Sequence, residues 1–291
     1  MTPLPFKPLI ILGAGRSGTN ALRDALTNLD GVETWPCDEI NPIWRHGNLR
    51  WPTDEIPPER ATLKVQRFIR DAFIKQWQAT GKPEILVEKT CANSLRVPFI
   101  AKVFPEAVFL HIVRDGRDVV PSAKRRWQGR MEMPSLPYFI AKARYVPLMD
   151  LPFYGTRYLG TRIRLILKLE ERLRRWGPIH DGMFDGPIDD LDLVCARQWA
   201  ACVIKTSDAL DEIPASKAMT LHYEDFVASP EVTISNLLEK LGQTVAPDAV
   251  SAAVSHINSN SVGRDKPKPD GPATPVQTEM APALGRHGYL F

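Results

Sequence analysis

An α/β architecture, built on a doubly wound parallel sheet flanked by helices, is the fold class this sequence predicts, and three observations predict it. Short continuous apolar runs at 8–13 and 107–113 have the character of strands buried on both faces. Segments with helical spacing of apolar residues alternate with such runs. The first run leads into Gly13-Ala14-Gly15-Arg16-Ser17-Gly18-Thr19-Asn20, a glycine-rich turn that opens a helix. Glycines there let the backbone wrap an anion, and the amides and dipole of the helix N-terminus favour negative charge, so the turn reads as a P-loop-like phosphate-binding loop.

The elements follow in order. Residues 8–13 form the first strand, and Ala21, Leu22, Ala25, Leu26 and Leu29 mark the buried stripe of the next helix. A helix is expected over 61–80, a short strand from Glu84 to Val87, a helix over 94–103, the strand at 107–113, and a helix from Val119 to Trp127. Between 128 and 187 the pattern changes to prolines (Pro134, Pro137, Pro147, Pro152), aromatics and an arginine-rich helix, which suggests a helical insertion over the site, an acceptor lid within a single 1–291 domain. Leu191, Val194, Cys195, Trp199, Cys202 and Val203 give a helix over 191–212, followed by a strand from Lys217 to His222. A proline-rich loop over 265–276 precedes a closing helix from Glu279 to Leu290.

Composition is that of an ordinary globular enzyme of 291 residues with a net charge of +3, too mild to argue for nucleic acid. The charge is uneven: Arg114, Arg117, Lys124, Arg125, Arg126 and Arg130 stand against Asp115 and Asp118 within 111–130, which suits a polyanionic ligand. The basic stretch 156–176 has three readings: a solvated helix face, an acidic-acceptor site, or a membrane-surface contact. Cys37, Cys91, Cys195 and Cys202 lack paired metal-ligand spacing and are expected as free thiols. With neither a signal-peptide pattern nor an apolar run of spanning length, a cytoplasmic location is expected.

The loop does not follow the nucleoside-triphosphate pattern, which would place Lys at position 19; the chain has Thr19, and the loop cation is Arg16. A second segment, Val113-Arg114-Asp115-Gly116-Arg117-Asp118-Val119-Val120-Pro121-Ser122, ends a strand in an arginine and sets a serine on the next helix, so both side chains can grip one phosphate. These two segments, with Glu88-Lys89-Thr90, Leu221 to Glu231 and Ser259 to Arg264 in the same order, resemble the sulfotransferase superfamily, in motif order especially the tyrosylprotein sulfotransferases. The resemblance implies 3′-phosphoadenosine 5′-phosphosulfate (PAPS) as co-substrate, with no metal. It implies that Gly15, Arg16, Ser17, Gly18, Thr19 and Asn20 cradle the phosphosulfate, that Arg114 and Ser122 hold the 3′-phosphate, and that Arg264 adds a grip.

Sulfuryl transfer needs positioning, charge neutralisation at the leaving oxygen and a base for the acceptor proton. Arg16 and Lys89 are the candidate charge stabilisers. For the base, Cys37-Asp38-Glu39-Ile40 resembles the stretch carrying the catalytic glutamate of tyrosylprotein sulfotransferases, which points to Glu39; Glu88 resembles the proposed base of heparan sulfate sulfotransferases. Either carboxylate also has a plainer reading as an ion-pair partner of Arg16 or Lys89. His111, inside an apolar strand, and His222 are expected to be structural. Two rival functions remain: a P-loop nucleotide-dependent kinase, and a nucleotide-binding module without turnover. The expected acceptor is a hydroxyl-bearing small molecule or carbohydrate; oligomeric state has no sequence signal.

Overall fold

A computed structural model describes residues 3–128, 146–153, 156, 176–185, 190–260, 262–263 and 274–289. Among them, five parallel strands form one sheet in the order β2-β3-β1-β4-β5: β1 (Lys7–Leu12), β2 (Val32–Thr34), β3 (Ile85–Lys89), β4 (Val108–Val113) and β5 (Ala218–His222). The central strand β1 is flanked by β3 and β4, with Ile10 opposite Glu88 and Phe109, and Ile11 opposite Lys89 and Leu110.

Because successive side chains of a strand point to opposite faces, the apolar runs feed two cores. Ile10, Leu12, Leu86 and Phe109 face α2 (Asn41–Trp44), α3 (Leu63–Ala79) and α4 (Val97–Val103), where Trp44, Phe73 and Phe104 pack edge-on or tilted against one another. Burying Phe73 completely contributes about 1.5–3 kcal/mol. Leu9, Ile11, Val87, Leu110 and Ile112 face the other way, against α1 (Thr19–Thr27) and residues of the later helices, including Phe226, Leu237 and Val250. A third cluster joins α5 (Gly116–Trp127), α6 (Leu191–Asp211) and, further on, the helix Pro275–Arg286 beyond the strand ends. Helices therefore cover both faces, as expected.

Local chemistry sets the boundaries. Thr62 caps α3 by accepting the Val65 amide, and Asp190 caps α6 through the Leu193 amide. The expected helix over 94–103 is split: Cys91–Leu95 is a 3-10 turn and α4 starts at Val97, because Pro98 fits only a first turn. Between β5 and the end of the described chain run α7 (Tyr223–Ala228), α8 (Pro230–Lys240), α9 (Pro247–Val254) and α10 (Pro275–Arg286). The closing helix thus begins four residues before the expected Glu279, where Thr274 and Gln277 form a reciprocal capping box. Most of the expected lid, including 129–145 and 157–175, lies outside the described residues, as does the proposed contact stretch 156–176 apart from Thr156 and Trp176. Among the described residues no helix is long and apolar enough to cross a membrane, and the cysteines are free.

Candidate active site

The C-terminal edge of the sheet carries the candidate residues on four neighbouring strand ends. After β1, Gly13 donates its amide to Ser94 Oγ (2.8 Å), and a side chain at Gly13 would strike the Ile112 carbonyl at 2.8 Å. Gly18 adopts φ +92° at the start of α1, and a Cβ there would lie 2.2 Å from the Tyr223 ring, so only glycine fits. Gly15 faces the edge of the Trp176 indole at 3.1 Å from an added Cβ. Between them Ser17 is fully buried, and its hydroxyl has no hydrogen-bond partner among the described residues. A buried polar atom of this kind is costly unless a ligand meets it. The first amides of α1 have no partners within the helix either. Arg16 sits at φ 78° in the loop.

Strand register brings the second group alongside. Val113 pairs with His222, so Arg114 and Tyr223, the next residues, emerge side by side, and the Arg114 guanidinium lies 4.5 Å over the Tyr223 ring. Arg114 also reaches the Arg16 carbonyl (3.4 Å) and Asp118 (3.7 Å). Arg16 donates its Nε–H to Ser122 Oγ at 3.0 Å. Three of the residues expected to contact phosphate groups, Arg16, Arg114 and Ser122, are thus brought together at one end of the loop. Burial and repulsion from Arg126, Arg114 and Arg125 hold Arg16 below the usual arginine range, the signature of a crowd of like charge. Gly263 donates its amide to Asp118 on α5 (2.7 Å); Asn20 is exposed on α1, and Arg264 lies outside the described residues.

The third group surrounds the end of β3. Neighbours on a strand face opposite ways, and Glu88 and Lys89 do so. Glu88 is 0% exposed; its Oε1 accepts from Thr90 Oγ1 (2.5 Å) and its Oε2 from Asn93 Nδ2 (2.6 Å). Burial pushes its carboxyl up to about 7 despite the opposing pull of the Thr90 hydroxyl and Arg96. Lys89 turns toward α1, with its ammonium 3.1 Å from Asp38 and 3.6 Å from Glu39. Asp38 is held in turn by Arg23 (2.7 Å) and stays below the usual carboxylate range, since Lys89 and Arg23 outweigh burial. Glu39 retains 28% of its side-chain exposure and accepts the Cys91 amide on Oε1 at 3.3 Å. Cys91 Sγ lies 3.8 Å from Thr19 Oγ1, which links this group to the phosphate loop; burial, followed by Glu39, raises the thiol to about 12 and keeps it protonated.

The two candidate bases are therefore unlike. The Ile40 amide donates to Thr90 Oγ1 (3.1 Å), whose hydroxyl donates to Glu88. Asn93 passes from Glu88 to Arg96, which holds Asn41 at 2.6 Å. Glu88 anchors from below the turn on which Glu39 stands. Arg16 joins Ser122, whereas Lys89 is the cation beside Glu39. His111 is fully buried in β4, as expected, and burial followed by repulsion from His287 and His222 lowers it to about 3. Sequence reasoning did not single out Tyr223, Thr90 or Asp38; the period-two alternation of β3 was the available signal that Glu88 and Lys89 serve different faces.

Residues 8–143 match the model of the Sulfotransferase family. No curated protein matches the chain at a significant level. Among solved structures, the sulfotransferase domain of the Synechococcus PCC 7002 olefin synthase aligns with TM-score 0.55 and 14% identity over 100% of this chain and 98% of that one. The sulfotransferase domain from the curacin biosynthetic pathway gives 0.52 and 14% over 99% of both. Sulfotransferase STF9 from Mycobacterium avium gives 0.50 and 12% over 98% of this chain and 76% of that one. At such identities the likeness carries the fold.

Proposed function

We propose that this chain, whose residues 8–143 match the Sulfotransferase family model, transfers a sulfuryl group from PAPS to the hydroxyl of a small molecule or carbohydrate. The observation that carries this reading is the meeting of Arg16, Arg114 and Ser122 at the mouth of a glycine loop whose own serine hydroxyl is buried without a partner among the described residues. A ligand with phosphate groups at two ends fits that arrangement: residues 15–20 would hold the phosphosulfate, and Arg114 and Ser122 the 3′-phosphate. Arg264 is proposed as a further grip on the strength of the sequence alone.

The donor supplies an activated sulfuryl group on a phosphate leaving group. Glu39, open to solvent and fixed by the Cys91 amide, takes the proton of the acceptor hydroxyl. Lys89, oriented by Asp38 and Glu39, places positive charge where the leaving oxygen becomes more negative, and Arg16 contributes from the loop. Glu88, sealed and doubly hydrogen-bonded, has no opening to an acceptor; it holds Thr90 and the 37–41 turn in place. Thr19 at the Walker lysine position argues against the kinase reading.

Calorimetric titration of the chain with 3′-phosphoadenosine 5′-phosphate and, separately, with ATP and Mg²⁺ tests the proposal. Preferential binding of the bisphosphate is expected; preference for ATP with Mg²⁺ overturns it in favour of a kinase.

A further inference from the structure

Taking the donor reading above as its basis, we infer that Glu224 and Tyr289 are positioning residues for Arg114. Arg114 stands between two peptide groups, and this pair reaches both. The Asp115 amide donates to Glu224 Oε1 at 3.1 Å, and the Tyr289 hydroxyl donates to Glu224 Oε2 at 2.7 Å while lying 3.4 Å from the Val113 carbonyl. A hydroxyl has one proton, and the carboxylate, being charged and nearer, takes it. His222 Nδ1 is 3.1 Å from the same oxygen, where it donates when that nitrogen carries the proton. On the other flank the Trp199 indole N–H donates to the Arg114 carbonyl at 3.1 Å.

Glu224 also follows Tyr223, the ring beneath the Arg114 guanidinium. One short segment therefore supplies both the surface on which the guanidinium lies and the carboxylate that holds its backbone. Tyr289 ties that carboxylate to the segment after α10, whose first residue, His287, is bonded to Ser207 on α6. Burial, followed by Glu224, raises the Tyr289 phenol, so it remains a donor throughout the working pH range. Removing the hydroxyl leaves Glu224 Oε2 without its nearest donor and frees the carboxylate to leave the Asp115 amide. The turn that aims Arg114 then loosens, although neither residue is among those proposed to hold the nucleotide.

The test uses the full chain, titrated with 3′-phosphoadenosine 5′-phosphate and with adenosine 5′-monophosphate, which lacks the 3′-phosphate. Tyr289→Phe is expected to weaken the bisphosphate about 2- to 10-fold, the effect of one hydrogen bond, and to leave the monophosphate unchanged. In an Arg114→Ala background the same substitution is expected to add nothing. Unchanged bisphosphate affinity, or the same loss with Arg114 already removed, overturns the inference. Glu224→Gln, which keeps the size of the side chain, repeats the test if the tyrosine variant unfolds. Amide exchange at Asp115 without nucleotide reads the positioning directly: faster exchange in Tyr289→Phe is expected, and equal exchange overturns it. Failure of the wild type to prefer the bisphosphate sinks the donor reading instead, and the exchange measurement still decides the role of the pair.

Discussion

Around the glycine loop Arg16, Arg114, Arg125 and Arg126 crowd together, and burial with mutual repulsion lowers Arg16. Beside Cys91, at the end of β3, opposite charges interleave: Lys89 lies between Asp38 and Glu39, and Arg23 holds Asp38 from behind. Like charge prevails in the first region, where Asp118 reaches Arg114 at 3.7 Å, whereas in the second each cation stands beside a carboxylate. The proposed roles in donor binding and in chemistry therefore fall on two sides that differ in charge order, arginines gathered at the loop and a carboxylate beside an ammonium at β3, and can be tested separately.

Substitutions should break this contrast in different observables. The largest effect is expected for Glu39→Gln, which removes the proposed base and leaves the cationic side intact: kcat falls by about 10²–10⁴ while bisphosphate affinity is unchanged. Steady-state rates with any accepted hydroxyl compound, set beside calorimetry, check the split; an equal loss in both columns would return Glu39 to a structural role. Arg114→Ala acts on the other side, costing about 10- to 100-fold in bisphosphate affinity, the loss of a charge-assisted hydrogen bond, with monophosphate binding spared.

A smaller effect sharpens the comparison between the two glutamates. Glu88 titrates near 7 in the folded chain against an ordinary 4.5, so the folded state keeps a proton that the unfolded state has released. The stability contributed by that proton is complete below pH 4.5 and is lost as pH rises through 7. Glu88→Gln has no proton to lose. Wild-type stability relative to this variant should therefore fall across that window by on the order of 1–3 kcal/mol. Urea midpoints of both proteins at acid and mildly alkaline pH measure it, and parallel pH curves would show that Glu88 is not held protonated.

Much of the architecture was legible because buried parallel strands are continuous apolar runs: 107–113 was expected as a strand and Val108–Val113 is one. The loop was legible because its glycines obey local sterics, such as Gly18 against Tyr223. β2 was missed, since three residues on a sheet edge show no period. The choice between Glu39 and Glu88 was open in the sequence because either lies near a strand end. Burial decides how they differ, and Trp44 of α2, one of the groups beside Glu88, is far from it in the chain. Arg16 was placed in the loop correctly, but its hydrogen bond to Ser122 depends on how α5 leaves β4, a tertiary matter. The pairing of Glu224 with Tyr289 joins residues with no local pattern in common.

The strand order has a consequence in time. β1 sits at the centre of the sheet, yet both of its partners, β3 and β4, come much later in the chain. During synthesis the sequence Lys7–Leu12 emerges with both edges bare and must wait for Ile85–Lys89 and Val108–Val113 before either is covered. Parallel pairings over such separations form slowly, and an apolar strand with open edges is the kind that sticks to other chains meanwhile. The loop that would grip the donor hangs from that strand, so it takes shape only after the chain has grown well past it, and half-made copies carry the motif without the site.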